Sequence, residues 1–124
     1  MPAVAQKDGA STVSATDGAQ VSLCATRPNR YNWNTPTTQV SDAGSDDVFV
    51  ENIGVVREDD VMISHPDGNP CTISPINHAP ALSTYSANVY VNNKRVGRVG
   101  DKYDSDGHYD HTISSGAATV FANS

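Results

Sequence analysis

Three segments of the chain repeat one pattern, and an internal repeat constrains a fold more than any other single feature of a sequence. They are Ser45-Asp46-Asp47-Val48-Phe49-Val50-Glu51-Asn52, Ser86-Ala87-Asn88-Val89-Tyr90-Val91-Asn92-Asn93 and Ala117-Ala118-Thr119-Val120-Phe121-Ala122-Asn123-Ser124. Each opens on a small residue and two turn-type positions, continues as Val-aromatic-Val/Ala, and closes on a pair bearing Asn or Ser. Alternation with period two in β-branched and aromatic residues reads as a short strand entering a turn. The first two segments continue as Ile53-Gly54-Val55-Val56-Arg57-Glu58-Asp59-Asp60 and Lys94-Arg95-Val96-Gly97-Arg98-Val99-Gly100-Asp101, so each predicts a hairpin. The third stops at its turn. Ala3-Val4-Ala5-Gln6-Lys7-Asp8 resembles the missing second strand, and the N-terminus is expected to complete that hairpin.

Composition agrees with strands and turns. Leu23 and Leu82 are the only leucines, and Glu51 and Glu58 the only glutamates, while Val, Thr, Ser, Asn and Asp abound. Such a chain is short of helix formers, which excludes a helical bundle and predicts an all-β fold with few or no helices. At 124 residues, 37% of them hydrophobic, it has the size of one domain with a thin core. A net charge of −6 opposes binding to a nucleic-acid backbone. No apolar run reaches the roughly 18–20 residues that span a bilayer. Residues 1–7 carry no apolar stretch of signal-peptide type, so the general secretory route is not expected.

The repeats are spaced by 41 and then 31 residues, so the connections vary rather than the hairpins. Residues 61–83 and 102–115 hold all four histidines, and loops concentrated on one face of a repeat protein are where function usually sits. Residues 9–44, with Cys24, Tyr31 and Trp33, read as a decorating segment: a long loop, or an extra short strand pair around Gln20-Val21-Ser22-Leu23.

The repeats resemble the PAAR-repeat family. The carriers are Val89 to Asp101 (Val-Tyr-Val-Asn-Asn-Lys-Arg-Val-Gly-Arg-Val-Gly-Asp) and Ile113 to Asn123, beginning Ile-Ser-Ser-Gly. The likeness covers residues 45–124 well and 1–8 weakly. The eponymous tetrapeptide is not literal: Arg95-Val96-Gly97-Arg98 and Gly54-Val55-Val56-Arg57 keep its arginine, and the Gly-Asp that follows survives as Gly100-Asp101 but becomes Asp59-Asp60. The resemblance implies a small cone of β-hairpins with pseudo-threefold symmetry. It implies a non-enzymatic tip capping a trimeric β-helical spike, one copy per trimer, with one zinc ion near the apex held by three His and one Cys. It further implies a virion protein of a contractile phage tail baseplate, or alternatively the tip of a type VI secretion spike, in transient contact with a target membrane. No room is left for an added toxin domain, and the free protein is expected to be a monomer with a sticky apolar base bearing Val and Ile.

Under this resemblance the metal ligands are His65, Cys71, His78 and His111. Three His and one Cys fill a tetrahedral structural zinc site, and a metal clip substitutes for core in a thin apex. Gly107-His108-Tyr109-Asp110-His111 offers two imidazoles three apart; His111 is chosen for its nearness to the Ile-Ser-Ser-Gly strand. Cys24 and Cys71 would instead pair as a disulfide in an oxidising compartment. Asp104-Ser105-Asp106-Gly107 lacks the later acidic ligands of a calcium loop and reads as a turn. Arg57 and Arg98 stand at equivalent positions and are expected to pair with acidic or backbone groups, and Trp33 to pack. The runner-up activity, a zinc hydrolase, needs an open coordination position and a general base. Neither glutamate lies in the histidine loops.

Overall fold

The computed structural model describes residues 1–16, 38–66, 77–103 and 110–123. Among them there is no helix, and every strand pairing is antiparallel. The elements are β1 (Thr12–Ala15), β2 (Thr38–Val40), β3 (Phe49–Val50), β4 (Ile53–Gly54), β5 (His65–Pro66), β6 (Asn77–His78), β7 (Tyr90–Val91), β8 (Lys94–Arg95), β9 (Lys102–Tyr103) and β10 (His111–Ile113).

Two repeats fold as tight hairpins, β3–β4 and β7–β8. Their two-residue loops have positive φ at both positions, 52° and 68° at Glu51 and Asn52, 54° and 62° at Asn92 and Asn93. That pattern matches the right-handed twist of the flanking strands, and Asn tolerates it well. The third hairpin is built from both ends of the chain. Ala3 bridges Phe121, Val4 N donates to Val120 O and Ala122 N donates to Pro2 O. The first of those amide bonds recurs as Val55 N to Val48 O and Val96 N to Val89 O.

The hairpins close into a ring. Ala5 N donates to Gly97 O at 2.9 Å, Gly97 N to Val56 O at 2.9 Å and Val56 N to Ala5 O at 3.0 Å. Each repeat thus donates to the next until the cycle returns to its start. A second cycle runs outside it: Lys7 N to Gly54 O, Glu58 N to Arg95 O and Val99 N to Ala3 O. These equivalences define the pseudo-threefold axis. They also explain how Asp59 replaces Gly100, since both occupy the left-handed region, with φ of 68° and 93°, and Asp is among the few side chains that visit it readily.

The core follows the ring in two layers. Val4, Val55 and Val96, one from each repeat, pack with Ala122 and the half-buried Val50, Val89 and Val91 at the hairpin end. Beyond them Ala5, Val13, Val56, Met62, Leu82, Tyr103 and Ile113 form the larger cluster. Sizes compensate around this second layer. Where the three repeats carry Val56, Ala5 and Gly97 in the ring, the residues four positions before Ser45, Ala117 and Ser86 are Ser41, Ile113 and Leu82, small where the ring residue is large and large where it is small. A Cβ on Gly97 would lie 2.7 Å from Leu82 Cδ2.

Residues placed in the decorating segment partly join this body. β1 and β2 sit in a four-stranded sheet, order β2-β1-β10-β9, with Val13 opposite Ile113 and Thr12 opposite Val40. The expected strand around Gln20–Leu23 lies outside the described residues, as does Trp33. Arg57 and Arg98 pair as expected: each grips the aspartate three residues on, Arg57 Nε to Asp60 Oδ2 and Arg98 Nε to Asp101 Oδ2, both at 2.9 Å. The same carboxylates accept the arginine backbone N–H at 2.8 Å. The third repeat replaces this pair by Gln6, whose N–H is taken by Ser11 Oγ and whose side chain donates to Val50 O.

Candidate metal centre

The chain runs from each hairpin through the ring and the second core layer, and beyond that layer it brings three histidines together. His65 and His78 are directly opposite in the β5–β6 pair. His111 opens β10, between Ala15 on one side and Tyr103 on the other. His65 and His111 are buried and His78 is half-buried.

Their rings stand edge-on to one another, with centroids 4.4, 5.1 and 5.1 Å apart and interplanar angles of 62°, 64° and 65°. His65 Nε2 lies 2.9 Å from His78 Nε2 and 3.2 Å from His111 Nε2, and one ligand atom from each ring falls within 4.8 Å of the others. The local chemistry orients His65. Its Nδ1 is 2.8 Å from Ile63 O, and a carbonyl only accepts, so Nδ1 carries the proton. In the neutral ring Nε2 then turns a lone pair toward the other two rings, the usual arrangement in which a backbone carbonyl fixes the tautomer of a metal-binding histidine. This triad is able to hold one metal ion.

Of the four expected ligands, the structure gathers His65, His78 and His111. Cys71 lies outside the described residues, as do His108, Cys24 and the Asp104–Gly107 turn. Asp110, next in sequence to His111, is engaged by other side chains: it takes Lys102 Nζ at 2.9 Å and Thr112 Oγ1 at 3.3 Å, and the Lys102 hydrogen bond holds its carboxyl below the usual range. Glu58 accepts the Arg95 backbone N–H, and Glu51 accepts from Ala118 and Thr119. On β9, opposite His111, Tyr103 is fully buried, and its hydroxyl has no hydrogen-bond partner among the described residues. Burial, with the charges of Asp60 and Asp42, pushes that phenol well above its ordinary pKa.

The other end carries a feature the sequence reading only half foresaw. Phe49, Tyr90 and Phe121, the aromatics of the three repeats, are 56%, 55% and 48% exposed, and Val48 and Val120 beside them are also open. An apolar base bearing Val and Ile was expected; the aromatic positions dominate it instead. The signal was the repeat itself, because in a period-two strand the aromatic points away from the face on which the next residue (Val50, Val91 or Ala122) packs inward.

No protein-family model matches the chain, and no curated protein matches it in sequence.

Proposed function

We propose that this protein is a non-enzymatic tip that caps the blunt end of a trimeric β-helical spike, one copy per trimer, in a contractile phage tail. The observation that carries the reading is the exposed aromatic triad set on a closed ring of three equivalent hairpins. Singly exposed apolar residues are ordinary, but three large ones repeated about an axis mark an interaction surface. A threefold partner meets three similar seats on one chain, so symmetry is matched without three copies. The same arrangement would serve a type VI secretion spike.

The metal of this reading is zinc, held by His65, His78, His111 and Cys71. Zn–N bonds of about 2.0–2.1 Å at tetrahedral angles put ligand nitrogens about 3.3 Å apart, close to the observed 2.9 and 3.2 Å. Four protein ligands close the coordination sphere, which suits a structural ion that ties the β5–β6 hairpin to β10. A hydrolase would instead need a base at the metal, and Glu51, Glu58 and Asp110 are all committed to structural hydrogen bonds.

The test replaces Phe49, Tyr90 and Phe121 by Ser together. Capture by an immobilised trimeric β-helical spike should be lost while zinc content and far-UV circular dichroism stay those of the parent. Unchanged capture would overturn the docking face.

A further inference from the structure

In two repeats the turn before the aromatic strand is capped by its own serine. Ser45 Oγ accepts the N–H groups of Asp47 and Val48, and Ser86 Oγ those of Asn88 and Val89. The third repeat has Ala117 at that position and no hydroxyl to offer. A carboxylate from another repeat takes over one of the two equivalent amides, that of Thr119, and adds the amide before it. Glu51, in the loop of the first hairpin, accepts Thr119 N at 2.8 Å, Thr119 Oγ1 at 2.5 Å and Ala118 N at 3.2 Å. Among the described residues the equivalent Asn92 caps no backbone amide in this way; it bonds the Ser45, Asp47 and Arg57 side chains.

A second observation marks Glu51 as special. Its φ is 52°, a region that suits the Asn at its equivalent position but is disfavoured for Glu. Such strain persists where the surrounding structure requires it. Residues 117–123 are the half-hairpin, joined to the body through Ala117 N to Val4 O, Val4 N to Val120 O, Ala122 N to Pro2 O, the Ala3–Phe121 bridge, and the Ser86 hydroxyl and Arg98 guanidinium that both donate to Asn123 O. No loop covalently ties this arm to its partner strand, as the loops at 51–52 and 92–93 tie the other two.

We infer that Glu51 is a positioning residue that latches the C-terminal arm and thereby completes the third aromatic seat, Phe121. The ring is closed by contacts between the two ends of the chain, and the latch decides whether a partner meets three seats or two. The role of the third seat in docking rests on the proposed function; the latch itself does not.

The experiment compares Glu51→Asn with the parent. Asn is the residue at the equivalent position of the second hairpin, so the first hairpin should stay folded, but its shorter, uncharged side chain withdraws the carboxylate. Amide hydrogen exchange read at Ala117, Val4 and Ala122 should quicken about tenfold, the change expected on losing a charge-assisted hydrogen bond, while Val55 and Val96 stay protected. Adding Ala117→Ser, which restores the hydroxyl of the other repeats, should recover most of that protection. A merely structural role would give loss spread over all three hairpins and no rescue by the serine. Either that result or unchanged exchange at Ala117 and Ala122 would overturn the latch. With an immobilised trimeric β-helical spike as probe, Glu51→Asn should bind more weakly than the parent and the rescued variant should recover. Equal binding by an arm shown to be loosened would overturn the third-seat assignment. Failure of the parent to bind at all would overturn the spike reading and leave the latch to stand or fall on the exchange data.

Discussion

Leu82 and Gly97 offer a test of whether the second core layer is packed by exchange of volume around the axis. Leu82 is fully buried in the larger cluster, so Leu82→Ala leaves a cavity and should cost about 2–5 kcal/mol. Gly97→Val meets the opposite problem, because its first carbon alone would come within 2.7 Å of Leu82 Cδ2. Overpacking of that kind costs about 1–3 kcal/mol. Independent effects would sum to about 3–8 kcal/mol. The double variant, however, keeps the number of side-chain carbons and takes on the residue sizes of a neighbouring repeat, which has Val56 in the ring and the small Ser41 four positions before Ser45, as Leu82 stands four before Ser86. Val56 already holds the hydrogen-bond position in the ring that Gly97 holds one repeat on. The double variant should therefore be less destabilised than Leu82→Ala alone, which requires a coupling at least as large as the cost of Gly97→Val, about 1 kcal/mol or more. Urea unfolding of the four proteins at fixed metal content measures it. Free energies that add to within about 0.5 kcal/mol would refute the exchange of volume.

Further outcomes follow from other sites. Purified protein should carry one equivalent of zinc by elemental analysis, and Cys71→Ser, His78→Ala or His111→Ala should release it and lower the Tm, whereas His108→Ala should do little; a site emptied by His108→Ala but not by His111→Ala would exchange those ligands. Structural zinc is worth about 10–16 kcal/mol in the smallest domains, and the loss here should be less because the ring has its own core. Tyr103→Phe should be neutral or stabilising at pH 7, since it removes a buried hydroxyl with no described partner. The raised Tyr103 pKa means that stability is intact below about pH 10 and falls as pH climbs toward the folded value, so the phenylalanine variant should resist alkaline unfolding better. Asp101→Ala should cost about 1–3 kcal/mol in chemical denaturation, because the carboxylate serves both the guanidinium and the backbone N–H of Arg98. The lowered Glu51 pKa, set chiefly by the Thr119 hydroxyl, makes its contribution present above the ordinary carboxylate range and lost as pH falls through the folded value. Acid should therefore loosen residues 117–123 before the other hairpins, as hydrogen exchange at low pH would show.

The parts of this fold legible in the sequence were those fixed by local rules. Val-aromatic-Val announces a strand with one face in, and Asn92-Asn93 announces a loop that needs positive φ twice. The N-terminal strand could be paired with the third repeat because Val4 and Ala5 reproduce the spacing of Val55 and Val56. The connections showed all four histidines together, and the family resemblance, not a local rule, singled out His65, His78 and His111 among them. What escaped notice depends on contacts between distant repeats. β1 and β2 are Thr- and Ser-bearing strands of three or four residues; Val13 pairs with Ile113 100 positions away and with Gln39 26 positions away, too far for any local pattern. Glu51 reads as one more acidic loop residue until Ala117 is seen to lack the hydroxyl of Ser45 and Ser86. The Gly97–Leu82 complementarity is visible only when three repeats are laid around one axis.

The central claim is that one chain, through three internal hairpins, presents a threefold face to a trimer. Native mass spectrometry of the protein mixed in excess with a trimeric β-helical spike tests it most directly. The account predicts a single species with one copy per trimer, carrying one zinc. A complex with three copies per trimer, or a stable homotrimer formed without the spike, would contradict it.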